Sequence, residues 1–138
     1  MAKTVAEKIG VKENSRTFFV NAEPAVVKEM NFPKLDVKTD LVSTFDYIHC
    51  FTKSQSELRK LFPKLKPHLD SSGMLWISWP KSGQKESDLN IKKVIEIGYD
   101  YGLVESKSIS VNSIWSALKF THPKTGKEYN NSYGKLKL

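Results

Sequence analysis

Gly73-Met74-Leu75-Trp76-Ile77-Ser78-Trp79-Pro80-Lys81 is the stretch on which the fold turns. Residues 74–79 are apolar except Ser78. Strict alternation would mark a strand with one wet face. An unbroken apolar run between a glycine and a proline marks a strand buried on both faces. Met74, Trp76 and Ser78 then share one face, and Leu75, Ile77 and Trp79 the other. Pro80 has no amide to donate, so pairing is expected to stop there. Lys81 follows at the carboxyl end, where open parallel sheets bind ligands. Trp76, Trp79 and Lys81 each admit two readings: core and solvated loop, or the wall and cation of a site.

The flanking sequence supplies partners for this strand. Arg16-Thr17-Phe18-Phe19-Val20 and Phe45-Asp46-Tyr47-Ile48-His49-Cys50-Phe51 read as strands. Residues 103–111 alternate and are more polar, which suits a position near an edge. Asn112-Ser113 is a turn, and the apolar run 114–120 belongs deeper in the sheet. A short helix is expected over 4–9, stopped by Gly10. A second, over 24–30, begins at Pro24 with Val26, Val27 and Met30 inward. Ser54 and Glu57 form a capping signature for a third, which carries Leu58, Leu61 and Phe62 and should end near Pro63. Asp88 is the expected cap of a fourth, over 89–101, with Ile91, Val94, Ile95, Gly98 and Tyr101 inward. Gly98 would allow close approach to the sheet, and Gly102 ends the helix. Residues 31–44 read as a loop. Val37–Leu41 is not counted as a strand, because too few residues precede Phe45 for a full parallel crossover. Strands alternating with helices, closed by a hairpin, predict an α/β three-layer sandwich.

The chain has 138 residues and a net charge of +7. That length predicts one domain, over residues 1–121, followed by a polar basic tail over 122–138. No run of about 18 apolar residues is present, so no membrane span is expected. Met1-Ala2-Lys3-Thr4 shows no apolar signal region, and the single Cys50 cannot form an internal disulfide; both fit a cytoplasmic protein. Basic residues gather at Lys53, Arg59, Lys60, Lys64 and Lys66, and again at Lys124, Lys127, Lys135 and Lys137. Such clusters attract phosphate backbones or form a solvated face.

Four segments carry a resemblance: Phe45-Asp46-Tyr47-Ile48, Leu75-Trp76-Ile77-Ser78-Trp79-Pro80-Lys81, Tyr101-Gly102-Leu103-Val104 and Trp115-Ser116-Ala117-Leu118-Lys119-Phe120. They resemble a small uncharacterised bacterial family of Rossmann-like domains. The terminal strand pair is similar to the end of the S-adenosylmethionine-dependent methyltransferase sheet. The resemblance covers residues 4–121. It implies a Rossmann-like, mostly parallel sheet of about five strands in the order 1-2-3-5-4, with the last strand antiparallel. It implies no activity, because the family has none established.

Nucleotide enzymes of such folds use a glycine-rich turn after the first strand. Glycine lets backbone approach the cofactor, and the helix N-terminus receives phosphate. Here the turn is Asn21-Ala22-Glu23-Pro24, without glycine. Glu23 puts negative charge where a pyrophosphate would sit, and Pro24 removes a donor. The pattern opposes phosphate binding, and it weakens methyl-donor binding without excluding it. Asp36 and Asp40 are weak candidates for holding a ribose. Gly126-Lys127 lacks the rest of a phosphate loop. His49, Cys50, His68 and His122 show no metal spacing, so no metal site and no cofactor are expected. His49 and Cys50 are adjacent on a strand and face opposite ways; Cys50 reads as a buried inert thiol.

Under the implied order, the carboxyl edge gathers Asn21, Glu23, Phe51, Thr52, Trp79, Lys81, Asn112, Ser113 and Trp115. The expected ligand set is Trp79, Lys81, Trp115, Asn21, Glu23 and Asn112, around one hollow walled by the indoles of Trp79 and Trp115. A tryptophan would stack on a flat ring, Lys81 would hold an anion, and Glu23 would accept a hydrogen bond or act as a base. The leading reading is a Rossmann-like domain, non-catalytic or a degenerate relative of methyltransferases, that binds a small molecule or a partner at this edge. The alternatives are a basic nucleic-acid-binding accessory protein and an active S-adenosylmethionine-dependent methyltransferase.

Overall fold

Six strands form one sheet in the order β2-β1-β3-β4-β6-β5. They are β1 (Arg16–Val20), β2 (Asp36–Val37), β3 (Phe45–Phe51), β4 (Leu69–Pro80), β5 (Val104–Ser110) and β6 (Trp115–Thr121). β1, β2, β3 and β4 run parallel, and β6 is antiparallel to both β4 and β5. The computed structural model describes residues 3–124 and the backbone of 130–131 and 134–135, where β7 (Asn130–Asn131) pairs with β8 (Gly134–Lys135). The turn expected at 124–127 and the last residues of the basic tail lie largely outside the described residues.

β4 is buried on both faces from Leu75 to Pro80, as its apolar run predicts. Leu75, Ile77 and Trp79 pack under α3 (Gln55–Leu65) and α4 (Ile91–Asp100), against Leu58, Phe62, Val94 and Ile97. Trp76 points the other way, toward α1 (Val5–Ile9) and α2 (Pro24–Met30), with Ile9, Val26 and Met30. Helices on both faces make the three layers. β4 starts five residues earlier than its apolar run, with a register shift opposite Phe45–Tyr47. Gly73 sits at that irregularity, where a Cβ would lie 2.8 Å from the Phe45 carbonyl oxygen.

The local signals behave as their chemistry requires in α1. Thr4 and Glu7 complete a reciprocal capping box, and Gly10 closes the helix at φ 77°. Four expectations are corrected. First, β2 exists. It has only two residues, paired with Arg16 and Thr17 at the start of β1, so residues 38–44 suffice to return across β1 to Phe45. Arg16 secures that return: Nε donates to the Thr44 carbonyl at 2.9 Å, Nη2 to the Val42 carbonyl at 2.6 Å, and the guanidinium lies 4.6 Å from the Phe45 ring centroid. Second, α3 passes through Pro63 to Leu65. The missing amide costs one helical bond, but Phe62 and Leu65 are buried on either side of it, and their burial prevails. Third, Asn90 rather than Asp88 caps α4, accepting from the Lys93 amide at 2.9 Å. Asp88 instead supplements the Ser54 cap of α3, accepting from the Gln55 amide at 2.8 Å. Fourth, β5 carries a bulge between Glu105 and Lys107, which reverses the facing of the residues before it. Glu105 therefore joins Ser108 and Ser110 on the α4 side, and Tyr99 Oη donates to it at 2.8 Å. Lys107 points to the opposite side and donates to the Lys8 carbonyl of α1.

Gly98 sets the spacing between α4 and the sheet. A Cβ there would lie 2.1 Å from Cε1 of Phe120. Alanine would raise helix propensity by about 1 kcal/mol, but overpacking costs about 1–3 kcal/mol and this contact is severe. Gly98→Ala is expected to lower the urea midpoint; an unchanged or higher midpoint would show that α4 is free to shift away.

Candidate functional site

The chain crosses from β1 to β2 on one side and then returns to β3 on the other. The carboxyl ends of β1 and β3 therefore flank a topological switch point, where open α/β sheets place ligands. A crevice of about 290 Å³ opens there. Asn21 and Glu23 line it from the β1 turn, Phe51, Thr52 and Lys53 from the end of β3, Glu57 from α3, Lys85 from the loop after β4, and Trp115 from β6.

Each element fixes its contribution. Asn21 takes the left-handed conformation, φ 56°, and Nδ2 donates to the Phe51 carbonyl at 3.1 Å, which ties the β1 turn to β3. Glu23 occupies the N-cap position of α2 without a side-chain capping bond, and Pro24 follows. Its carboxylate is exposed and forms no ion pair among the described residues. Thr52 is buried, and Oγ1 donates to Glu57 Oε1 at 2.5 Å. Glu57 is half of the expected capping signature. Its amide does bond Ser54 Oγ, at 3.1 Å, but its carboxylate turns into the crevice.

The wall beneath is aromatic. Trp115 meets Phe51 edge-on, with centroids 5.2 Å apart, and the His49 ring stacks under Phe51 at 4.6 Å. His49 is fully buried and joins two strands. Nδ1 lies 2.6 Å from Tyr47 Oη, and Nε2 lies 2.6 Å from Ser78 Oγ on β4. Burial lowers the His49 pKa to about 3 and raises that of Tyr47, so both are neutral at physiological pH. Cys50, on the opposite face, is also fully buried. Burial first, then the Glu57 charge, push its thiol upward, which suits an inert core residue.

The single hollow expected between two indoles does not form. Pro80 pairs with Trp115, and Trp79 pairs with Ser116. Partners in register share a face, so Trp79 and Trp115 project to opposite sides of the sheet. Both are buried, at 5% and 7% exposure. Trp79 and Lys81 line a separate crevice of about 900 Å³ on the α4 side. Asn112 lines neither. Its Oδ1 accepts from the amides of Ile114 and Trp115, both at 2.8 Å, and shapes the β5–β6 turn. Ser113 gives its carbonyl to Gln84 Nε2 at 3.4 Å. Of the expected set, Asn21, Glu23 and Trp115 come together, with Phe51 and Thr52. Lys53, Glu57 and Lys85 join them; the sequence marks Lys53 only as part of a basic cluster and Glu57 only as part of a capping signature. Among the described residues no group of three His, Cys, Asp or Glu is placed to hold a metal ion, and no helix is long and apolar enough to cross a membrane.

No family model matches the chain, and no curated protein matches it in sequence. Solved structures match its fold. A ribosomal protein L11 methylase from Lactobacillus delbrueckii subsp. bulgaricus is 12% identical, with 87% of this chain and 76% of that one covered at a TM-score of 0.56. A methyltransferase from Pyrococcus furiosus is 14% identical, with coverages of 84% and 79% and a TM-score of 0.59. Aeropyrum pernix fibrillarin, solved with natively bound S-adenosyl-L-methionine, is 10% identical, with coverages of 85% and 73% and a TM-score of 0.55. At such identities the likeness carries the fold alone: a Rossmann-like α/β fold of the methyltransferase type.

The depressed His49 pKa has a measurable consequence. Between about pH 6.5 and about pH 3 the unfolded chain binds a proton at this position and the folded chain does not. Stability due to His49 is therefore complete above about pH 6.5 and falls with acid, by up to about 1.4 kcal/mol per pH unit, until about pH 3. Urea unfolding of wild type and His49→Gln across this range should show a steeper acid loss for wild type. Equal slopes would mean that His49 titrates normally in the folded protein.

Proposed function

We propose that the chain is a small-molecule-binding domain on a methyltransferase-like fold, and that its ligand carries no phosphate and lies in the switch-point crevice. The observation that carries this reading is the pairing of Glu23 and Pro24 at the start of α2. A phosphate at that position would meet a carboxylate and one amide fewer, instead of the donors of a glycine-rich turn. The rest of the lining is balanced in charge, with Lys53 and Lys85 at the rim beside Glu23 and Glu57, and suits a neutral or zwitterionic group. Glu23 and Glu57 accept from its amino or hydroxyl groups, and Trp115 with Phe51 gives a flat apolar portion a wall. Asn21 holds the turn in place through Phe51. The volume stands at the low end of the usual range of about 300–1,000 Å³, which points to a compact ligand. In this reading residues 1–121 are the binding unit. It agrees with placement in the small bacterial family of Rossmann-like domains that the four quoted segments resemble.

S-adenosylmethionine-dependent methyl transfer is the second reading, favoured by the likeness to methyltransferase structures. That cofactor has no phosphate, so Glu23 does not oppose it. Nothing comparable favours a nucleic-acid interface. Within the basic stretch 53–66, Arg59 is paired with Asp100 at 3.1 Å and Lys66 donates to the Tyr101 carbonyl at 2.8 Å, so two of its cations hold α3 in place.

Native mass spectrometry of freshly purified protein tests the leading reading. It should show a non-covalent adduct without phosphorus, absent from Glu23→Lys. A nucleotide adduct that Glu23→Lys removes, or the absence of any adduct that Glu23→Lys removes, would refute it. Calorimetry with S-adenosylmethionine decides the second reading: heat that Glu23→Lys abolishes supports it, and no heat ends it.

A further inference from the structure

We propose a second ligand site, separate from the switch-point crevice and on the opposite face of the sheet, for a compact hydroxylated anion such as a sugar phosphate or sugar acid. Three strands place side chains in register across the α4 face at the carboxyl edge. Trp79 of β4 pairs with Ser116 of β6, and Ser116 pairs with Ser110 of β5. One step deeper the row is Ile77, Leu118 and Ser108; one step deeper still it is Leu75, Phe120 and Glu105. Aliphatic and aromatic side chains thus fill the space under α4 at depth, and serines take their place at the top. Ile91, the first residue of α4, remains 42% exposed although its spacing puts it on the inner face. Between the serine row and the start of α4 lies the 900 Å³ crevice, floored by Trp79.

The chemistry of this hollow is specific. Lys81 reaches back over the row, and Nζ donates to Ser110 Oγ at 2.5 Å. Its backbone is held by the bond from its amide to the Ile114 carbonyl, at 2.7 Å. No carboxylate pairs with the ammonium among the described residues. Asp88, the one acidic residue of the lining, is turned to the Gln55 amide. A cation on a fixed backbone therefore stands above the serine row, where Ser110 Oγ already donates to the Asn112 carbonyl at 3.2 Å and Ser108 and Ser116 present further hydroxyls above the indole of Trp79. The ammonium selects an anion, and the hydroxyls match a ligand whose own hydroxyls donate and accept. The volume exceeds what a free inorganic anion needs.

Calorimetry on the full chain with glucose 6-phosphate and with gluconate tests the site, and which of the two binds names the anion. At least one should bind, and glucose and inorganic phosphate should each bind at least about tenfold more weakly. Lys81→Ala should weaken binding by at least about tenfold. Ser116→Val, which fills the row, should abolish it. Ser110→Val, on the exposed edge strand, gives the same readout should Ser116→Val fail to fold. Glu23→Lys, in the other crevice, should leave it unchanged. The proposal falls if neither anion binds, if binding survives both Lys81→Ala and Ser110→Val, or if inorganic phosphate binds as tightly as glucose 6-phosphate.

Discussion

A strand buried on both faces must send neighbouring side chains to opposite sides, and in β4 this parity governs the whole carboxyl edge. Trp76 and Ser78 belong to the layer of α1 and α2, while Ile77 and Trp79 belong to that of α3 and α4. Because β6 pairs in strict register with β4, the same parity passes to it: Trp115 goes to the first layer and Ser116 to the second. Two crevices result, back to back, with the sheet between them. They differ in chemistry because the parity separates their residues. One has two carboxylates, two lysines and aromatic rings; the other has serine hydroxyls, an indole, Lys81 and Asp88.

Much of this was legible in the residues. The apolar run of 74–79 shows the doubly buried strand, and its two faces follow from alternation alone. Gly98 on an apolar helical face announces the close contact with Phe120. The division of the edge was not legible, and the reason is register. Whether Trp115 lies opposite Trp79 or Pro80 is set by the β4–β6 register, between strands that no tight turn joins, and a shift of one residue moves every side chain of β6 to the other face. Composition does not report that shift. The bulge in β5 is hidden for the same reason, since Val104 to Val111 reads as simple alternation.

Other departures come from tertiary burial overriding a local rule. Pro63 is a helix terminator by its own chemistry, yet it lies inside α3 because Phe62 and Leu65 gain more from the core than the lost bond costs. Asp88 and Asn90 are equally good caps in isolation. They divide the work between two helices because the loop after β4 brings Asp88 to the start of α3. Glu57 looks spent in a capping signature, and only the placement of the buried Thr52 hydroxyl, which donates to it, shows its carboxylate turned into the crevice.

The bulge near Ser106 bears on how the molecule meets its neighbours. β5 is the outer strand of the sheet, and outer strands offer unpaired amides and carbonyls on which another chain can build. A bulge interrupts that row and adds local twist, and the adjoining Lys107 carries a charge that foreign strands would have to desolvate. At the other margin β2 is two residues long and is flanked by the Asp36–Lys38 ion pair at 3.1 Å. Both margins thus offer little template for strand-by-strand pairing with another chain.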